Sequence, residues 1–191
     1  MAQNSLMDVD WSLIPAPVDD GAAAHLVGRA IPPVHLRATN DTTVRLSDLT
    51  GRVVVFGYPR TGEPGKIALV DDWDMIPGAR GCTPQTCAFR DLFAELKAAG
   101  AAHVFGLSTQ TNEYQTEMAS RLHLPFPVLS DCDLELVRGL DLPVMQVAGE
   151  TMIKRLALII DNGIISHVFY PVFPPDRNAG DVLAWLRANP A

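Results

Sequence analysis

A continuous apolar run at residues 53–58, with the sequence VVVFGY, limits the folds open to this chain more than any other feature. The run is short, shows no polar alternation and ends at Pro59. It predicts a β-strand buried on both faces, because a strand with one face in water alternates apolar and polar residues. Such a strand needs a sheet that is covered on both sides, so we expect a layered α/β domain.

The rest of the chain alternates between strand patterns and helix patterns. The pairs Asn40-Asp41 and Asn162-Gly163 are hairpin-turn signals, and Asn162-Gly163 is the strongest of this kind in the chain. Further strands are predicted at residues 34–37, 43–46, 103–107, 127–129, 153–160 and 164–170, and helices at residues 84–99, 112–122, 178–188 and from Asp131 or Asp133 to about residue 140. Because alternating βα units pair in parallel, we predict a thioredoxin-like α/β fold, with a mixed central sheet flanked by helices and an N-terminal β-hairpin extension.

Length and local composition indicate the domain organisation. The 191 residues fit a single domain. We divide them into an N-terminal arm at residues 1–28 and a thioredoxin-like domain at residues 29–191. Residues 61–81 show no periodicity and contain several glycines and prolines, which predicts a long loop. Loops of this length in compact domains are usually functional or disordered.

Charge and hydropathy exclude several classes of protein. Against 22 acidic residues there are 15 Lys and Arg, which gives a net charge of −7 and a pI near 5.1. This balance argues against non-specific binding to nucleic acid or anionic membranes, which needs a basic surface. No apolar run reaches the ~18 residues of a membrane span, and the first residues lack the pattern of a signal peptide. We expect a cytoplasmic protein.

The segment GCTPQTC at residues 81–87 is the strongest chemical signal. Three cysteines are too few for a disulfide framework, and Cys82 lies just before the predicted start of a helix. Thr83 is suited to cap that helix and Pro84 to its first turn. Unpaired N–H groups and the helix dipole favour a thiolate at such a position, and Arg80 adds positive charge. A thiolate attacks peroxides, and its first product is a sulfenic acid.

Cys87, five residues later, is the candidate resolving thiol. Helix geometry separates the two Cα atoms by about 8.6 Å, whereas a disulfide needs less than about 7 Å. The first helical turn must therefore unwind for the cysteines to join. Two alternatives stay open, a pair of buried structural cysteines and a metal site formed with one of the five histidines.

The sequence GCTPQTCAFRD at residues 81–91 resembles the active-site segment of Q-type peroxiredoxins, also called bacterioferritin comigratory proteins. The likeness extends over roughly residues 28–186, and KRLALIID at residues 154–161 resembles the family's arginine-containing strand. The resemblance implies that Cys82 is the peroxidatic cysteine and Cys87 the resolving one. It implies that Arg155 is a buried cation that orients the thiolate and the peroxide.

Arg155 also stands out without the resemblance, because it enters a strand of apolar residues. A buried guanidinium is costly without a partner, and a thiolate is a suitable one. The alternative is an edge position at which Lys154 or Arg155 reaches solvent.

One motif departs from the family pattern. The family places Pro and Thr seven and three residues before the reactive cysteine, where this chain has Met75 and Ala79. Pro59 and Thr61 resemble the start of that motif, separated from Cys82 by an insertion. Either Thr61 folds back toward Cys82, or backbone amides and Arg155 bind the peroxide alone. We expect Pro59, Thr61 and Thr83 to contact the substrate. Gln85 stands where the family often has Glu.

We therefore predict a thiol-dependent peroxidase that reduces hydrogen peroxide or organic hydroperoxides through a Cys82 sulfenate resolved by Cys87. The resemblance implies a thioredoxin- or glutaredoxin-like reductant. We expect no cofactor or metal, and the protein is expected to be a monomer or a homodimer.

One alternative is a thiol–disulfide oxidoreductase, although those usually have two residues between the cysteines and this chain has four. Another is a peroxide sensor or redox-regulated binding module with the loop at residues 61–81 as its partner surface. Cys132 is expected to be structural, with a resolving role or an intermolecular bond as the alternatives.

Overall fold

The computed structural model describes residues 9–190. Its main strands and helices follow the predicted alternation. The strands are β1 Leu36–Ala38, β2 Thr43–Val44, β3 Arg52–Gly57, β4 Ala101–Ser108, β5 Val128–Ser130, β6 Val144–Val147, β7 Glu150–Ile153, β8 Leu156–Asp161 and β9 Ile164–Phe169, and the helices are α1 Cys82–Asp91, α2 Phe93–Ala98, α3 Asn112–Arg121, α4 Glu135–Leu140 and α5 Asn178–Ala188. None of the helices described within residues 9–190 is long and apolar enough to cross a membrane.

Seven strands form one mixed sheet in the order β2-β1-β5-β4-β3-β8-β9. The predicted apolar strand, β3, lies inside it and pairs in parallel with β4 and antiparallel with β8. The N-terminal hairpin is confirmed as β1–β2, although it is shorter than predicted. Asn162 and Gly163 have φ angles of 49° and 81°, which fit the turn that joins β8 to β9. The predicted thioredoxin-like fold is confirmed.

The sheet separates two hydrophobic clusters, as a strand buried on both faces requires. Val53 and Val55 of β3 belong to one cluster, whereas Val54 and Phe56 belong to the other. Phe56 stacks on Phe89 of α1 with ring centroids 4.1 Å apart. Because successive side chains of a strand point to opposite faces, β3 anchors both layers. The stacked pair fixes α1 on the second face.

The prediction of one continuous helix at residues 84–99 is wrong. The helix is interrupted at Leu92, whose φ and ψ of −98° and 12° are not helical, and it begins earlier, at Cys82. α1 packs on α5 and on the 3-10 turn Pro175–Arg177, while α2 packs mainly on β4. The break redirects the segment between these two surfaces. Neither Gly nor Pro marks it in the sequence.

The predicted strand at residues 153–160 is also divided. β7 pairs with β6 in a separate two-stranded hairpin, and β8 begins only at Leu156. β6 was not predicted. Lys154 and Arg155 occupy the gap between β7 and β8, outside any strand. Because Arg155 lies in this gap, pairing with a neighbouring strand does not fix the direction of its side chain.

The described part of the predicted arm packs on the domain. Leu26 is fully buried, and the N–H of Gly28 donates to the carbonyl of Ile165 at 2.8 Å. Trp11, in the 3-10 turn Trp11–Leu13, donates from Nε1 to Asp176 Oδ2 at 2.9 Å. Residues 1–8 of the arm and Ala191 of the domain lie outside the described residues, and the boundary at residue 28 stays a prediction.

A partly buried ion pair joins the first residue of β3 to the last residue of β8, and its arginine also bonds a carbonyl just after α5. Arg52 donates from Nε and Nη2 to the Asp161 carboxylate at 2.7 and 3.1 Å, and from Nη1 to the carbonyl of Asn189, just after α5. The hydrogen bonds from Arg52 lower the pKa of Asp161. A carboxylate whose pKa is lower in the folded state contributes stability above its unfolded pKa of about 3.9. That contribution is lost as the pH falls through the folded pKa.

We expect Asp161→Asn to lower the free energy of unfolding at pH 7 by about 1–2 kcal/mol, because Arg52 loses its anionic partner. The difference from the parent should shrink as the pH falls below 4. Urea denaturation at pH 7 and pH 3 measures it. Asp133→Asn, at an exposed carboxylate outside this ion pair, is the control. An equal loss at both pH values contradicts the prediction.

Candidate active site

The site begins at position 81, which only glycine can occupy. Gly81 has a φ of 103°, and a Cβ there would lie 2.6 Å from Pro175 and 2.7 Å from Trp11. It precedes Cys82, the first residue of α1, and α1 has no side-chain cap. The prediction that Thr83 caps the helix is wrong, since the left-handed Gly81 starts the helix two residues earlier. Cys82 therefore lies at the N-terminus of α1, where N–H groups lack helical partners.

The Cys82 sulfur contacts a guanidinium below the surface. Cys82 is 3% exposed, and Arg155 Nη2 donates to its Sγ at 3.3 Å. The carbonyl of Ala79 lies 3.5 Å from the same sulfur. A protonated thiol can donate to that carbonyl, whereas a thiolate accepts from Arg155. The structure thus brings together the two residues that the sequence singled out, 73 positions apart.

Arg155 is 2% exposed and is held by neutral oxygens. Its Nη2 donates to the carbonyls of Gly78, Ala79 and Arg80 at 3.1, 3.2 and 3.0 Å, and its Nη1 donates to Gln85 Oε1. Among residues 9–190, no carboxylate lies within ion-pair distance of it. A buried charge without a counterion is costly, so the site favours an anion beside the guanidinium. The Cys82 sulfur is in place to supply it.

Gln85 is oriented by a residue that sequence reasoning missed. Its Nε2 donates to Asn178 Oδ1 at 2.9 Å, which turns its Oε1 toward Arg155. Both side chains are buried. Asn178 is the first residue of α5, 93 positions from Gln85, and no local pattern marks it.

Arg80, expected to add positive charge at Cys82, instead bonds the Asp74 carboxylate at 2.8 and 2.7 Å. This ion pair neutralises it.

A cavity of about 610 Å³ opens onto Cys82. Thr61 and Thr83, two of the predicted substrate-binding residues, line it. The Thr61 hydroxyl donates to Gln110 Oε1 at 3.1 Å, so it is already engaged by a side chain. Pro59 is buried just beyond β3 and is not among the lining residues. The structure therefore brings two of the three predicted substrate contacts to the cavity.

Comparison with known proteins identifies the family. The family model described as Redoxin matches residues 26–183. A chloroplastic peroxiredoxin Q from Sedum lineare is 31% identical over 163 residues, which cover 84% of this chain and 77% of that protein. The chain belongs to the peroxiredoxin family. The similarity is to its Q-type members, in agreement with the resemblance of the Cys82 segment.

Other relatives of this peroxiredoxin lead to the same family assignment. Peroxiredoxin Q of Oryza sativa subsp. japonica, also chloroplastic, is 31% identical over 84% of this chain. The match covers 66% of the rice protein, just under two thirds of its length. Among solved structures, the peroxidoxin BcpB of Mycobacterium tuberculosis superposes with a TM-score of 0.68 at 28% identity, covering 86% of this chain and 98% of that one. A PrxQ variant from Xylella fastidiosa, at 21% identity and a TM-score of 0.67 over 85% of this chain and 95% of that one, shares the fold.

The second cysteine of this peroxiredoxin lies in the same helix as the first. Cys87 is 2% exposed, in the second turn of α1, and its burial raises the pKa of its thiol. Both cysteines are free thiols. In an intact helix their Cα atoms stand about 8.6 Å apart, too far for a disulfide. Cys132 is exposed in the turn before α4 and lines a different cavity.

The neutral Gln85 leaves the charge of Arg155 uncompensated, which yields a testable expectation. In Gln85→Glu, the new carboxylate pairs with Arg155 and weakens its attraction for the Cys82 thiolate. We expect peroxide to oxidise Cys82 about tenfold more slowly at pH 7, which corresponds to about 1.4 kcal/mol in the barrier. Stopped-flow tryptophan fluorescence measures the rate.

Gln85→Met is the matched control, because it removes the hydrogen bond to Arg155 without adding charge. Its rate should stay much closer to that of the parent. A Glu variant as fast as the parent, or a Met variant as slow as the Glu variant, rules out the electrostatic explanation.

Proposed function

We propose that this peroxiredoxin is a thiol-dependent peroxidase that reduces hydrogen peroxide or organic hydroperoxides at Cys82. One observation carries the proposal, the 3.3 Å contact between Cys82 Sγ and a buried guanidinium that lacks a carboxylate partner within residues 9–190. A guanidinium at this distance stabilises negative charge on the sulfur, and the thiolate is the nucleophilic form of cysteine. The adjoining cavity gives a peroxide access to it.

In the first step, the Cys82 thiolate attacks the terminal oxygen of the hydroperoxide. An S–O bond forms and the O–O bond breaks, so the sulfur is oxidised by two electrons to the sulfenic acid. The remaining oxygen leaves with the electron pair and takes up a proton to become water or an alcohol. Arg155 and the free N–H groups at the start of α1 are placed to stabilise this negative charge.

Ala79 replaces the hydroxyl residue that the family motif has at this position, and the Thr61 hydroxyl is bonded to Gln110. The donors left to bind the peroxide are therefore Arg155, the backbone and the hydroxyl of Thr83, which lines the cavity. Gln85 and the three carbonyls at residues 78–80 fix the plane of the guanidinium, so it need not reorganise during the reaction.

In the second step, the Cys87 thiolate attacks the sulfur of the Cys82 sulfenic acid. An S–S bond forms, the S–O bond breaks, and the departing hydroxide takes up a proton and leaves as water. The separation of the two residues along α1 requires the start of the helix to unwind first. Unwinding also exposes Cys87 and removes the burial that raises the pKa of its thiol. A thioredoxin- or glutaredoxin-like dithiol then reduces the disulfide by exchange and restores both thiols.

Burial of both thiols favours this function over a thiol–disulfide oxidoreductase. With Cys82 at 3% and Cys87 at 2% exposure, a protein disulfide cannot approach either sulfur in the reduced fold. A peroxide is small enough to enter the cavity, whereas thiol–disulfide exchange needs direct access of sulfur to sulfur.

Cysteine variants test both steps. We expect Cys82→Ser to abolish the peroxide-dependent oxidation of thioredoxin. Cys87→Ser should be oxidised once by peroxide, to a sulfenic acid that dimedone and mass spectrometry detect, without the Cys82–Cys87 bond found in the parent. Cys132→Ser is the control and should turn over normally. A parent that is inert to peroxides contradicts the proposed function, and normal recycling of Cys87→Ser with thioredoxin removes Cys87 as the resolving residue.

A further inference from the structure

The long loop at residues 61–81 builds one wall of the cavity above Cys82. Ile67, Ala68, Leu69 and Trp73 of this loop line it, as does Tyr114 of α3. Of these loop residues, Ile67 is 92% exposed. Leu69 and Trp73 are partly buried, so they form an apolar lining rather than free side chains. The same loop separates Thr61 from Cys82 in the sequence. The insertion that interrupts the family motif therefore also shapes the space from which a substrate reaches the sulfur.

The cavity is much larger than hydrogen peroxide. Its volume of about 610 Å³ lies within the range of small-molecule sites, about 300–1,000 Å³. A water molecule, close in size to hydrogen peroxide, takes up only about 30 Å³. A peroxide whose O–O group reaches Cys82 leaves most of this space free. An organic substituent could fill that space against the apolar loop residues.

The charges of the lining cancel. Three cations, Arg60, Lys66 and Arg80, are balanced by three carboxylates, Glu63, Asp71 and Asp74.

Each of the three cations already has an acidic partner. Arg60 pairs with Glu150 at 2.7 Å, Lys66 with Glu63, and Arg80 with Asp74 at 2.7 Å. The lining thus offers no unpaired cation to an anionic substrate such as a free fatty-acid hydroperoxide. A thiolate at the base of the cavity would repel one further.

We propose that the long loop is the specificity element of this peroxiredoxin, and that it selects neutral hydroperoxides with a bulky apolar substituent. Leu69 and Trp73 contact the substituent while the O–O group points to Cys82 Sγ. The inference rests on the proposed peroxidase function and adds no chemical step to it. The oxygen that leaves takes up a proton and is released as the alcohol that corresponds to the hydroperoxide.

The test compares the oxidation rates of Cys82 in the reduced full-length protein with hydrogen peroxide and with cumene hydroperoxide. We expect the parent to react faster with cumene hydroperoxide. Leu69→Ser and Trp73→Ala should slow that reaction about tenfold, the scale expected for a lost apolar contact, and leave the hydrogen peroxide rate within about twofold. Because Trp73→Ala removes a fluorophore, quenched samples are analysed by mass spectrometry. Met75→Ser is the matched control, since Met75 lies on the same loop, is 60% exposed and does not line the cavity.

A second pair of probes tests the charge argument. Linoleic acid hydroperoxide and its methyl ester differ only in the carboxylate, and we expect the methyl ester to react faster.

The outcomes separate the two proposals. If hydrogen peroxide oxidises Cys82 but the parent shows no preference for cumene hydroperoxide, or the loop variants slow both peroxides equally, the loop is not the specificity element. A faster reaction of the free acid than of the ester overturns the selection for neutral substrates. If no peroxide oxidises Cys82, the proposed function itself fails.

Discussion

The contact between Arg155 and the Cys82 sulfur is the interaction on which the rest of the site depends. A guanidinium that is 2% exposed and surrounded by neutral oxygens has no counterion, so its charge must be balanced by the nearest group that can become an anion. That group is a thiol 3.3 Å away at a helix N-terminus, where unpaired N–H groups favour the same ionised form. Hydrogen bonds to the carbonyls of residues 78–80 and to Gln85 fix the orientation of the Arg155 guanidinium.

The fold supplies this contact from elements that are distant in the sequence. β3 places α1 through the Phe56–Phe89 stack, and β8 begins immediately after Arg155 beside β3. Gly81 allows the turn into α1 beneath Trp11 and the Pro175–Arg177 segment. The same helix also carries Cys87, so the geometry that stabilises the reduced site keeps the proposed resolving thiol apart from Cys82. The proposed disulfide-bonded form therefore requires a different local structure.

Sequence patterns predicted the features that local physics determines. The apolar run of β3, the Asn162-Gly163 turn and the bounds of α5 all follow from short-range chemistry, and a buried arginine in an apolar context indicated its need for an anion. The break at Leu92, the pairing of β6 with β7 and the bonding of Gln85 to Asn178 depend on contacts between distant segments. The neutralisation of Arg80 by Asp74 likewise needed the conformation of the long loop, which shows no periodic pattern. The role of the loop as a cavity wall was invisible in the sequence for the same reason.

The most direct measurement is the rate at which hydrogen peroxide oxidises Cys82 at pH 7 in Arg155→Met, with Arg52→Met as the matched variant. Both substitutions remove a buried arginine, but only Arg155 contacts the sulfur. Circular dichroism establishes that each variant is folded. We predict that the Arg155 variant reacts at least about 100-fold more slowly, as expected for the loss of a preorganised donor, while the Arg52 variant keeps the parental rate. A folded Arg155 variant that reacts as fast as the parent would contradict the account.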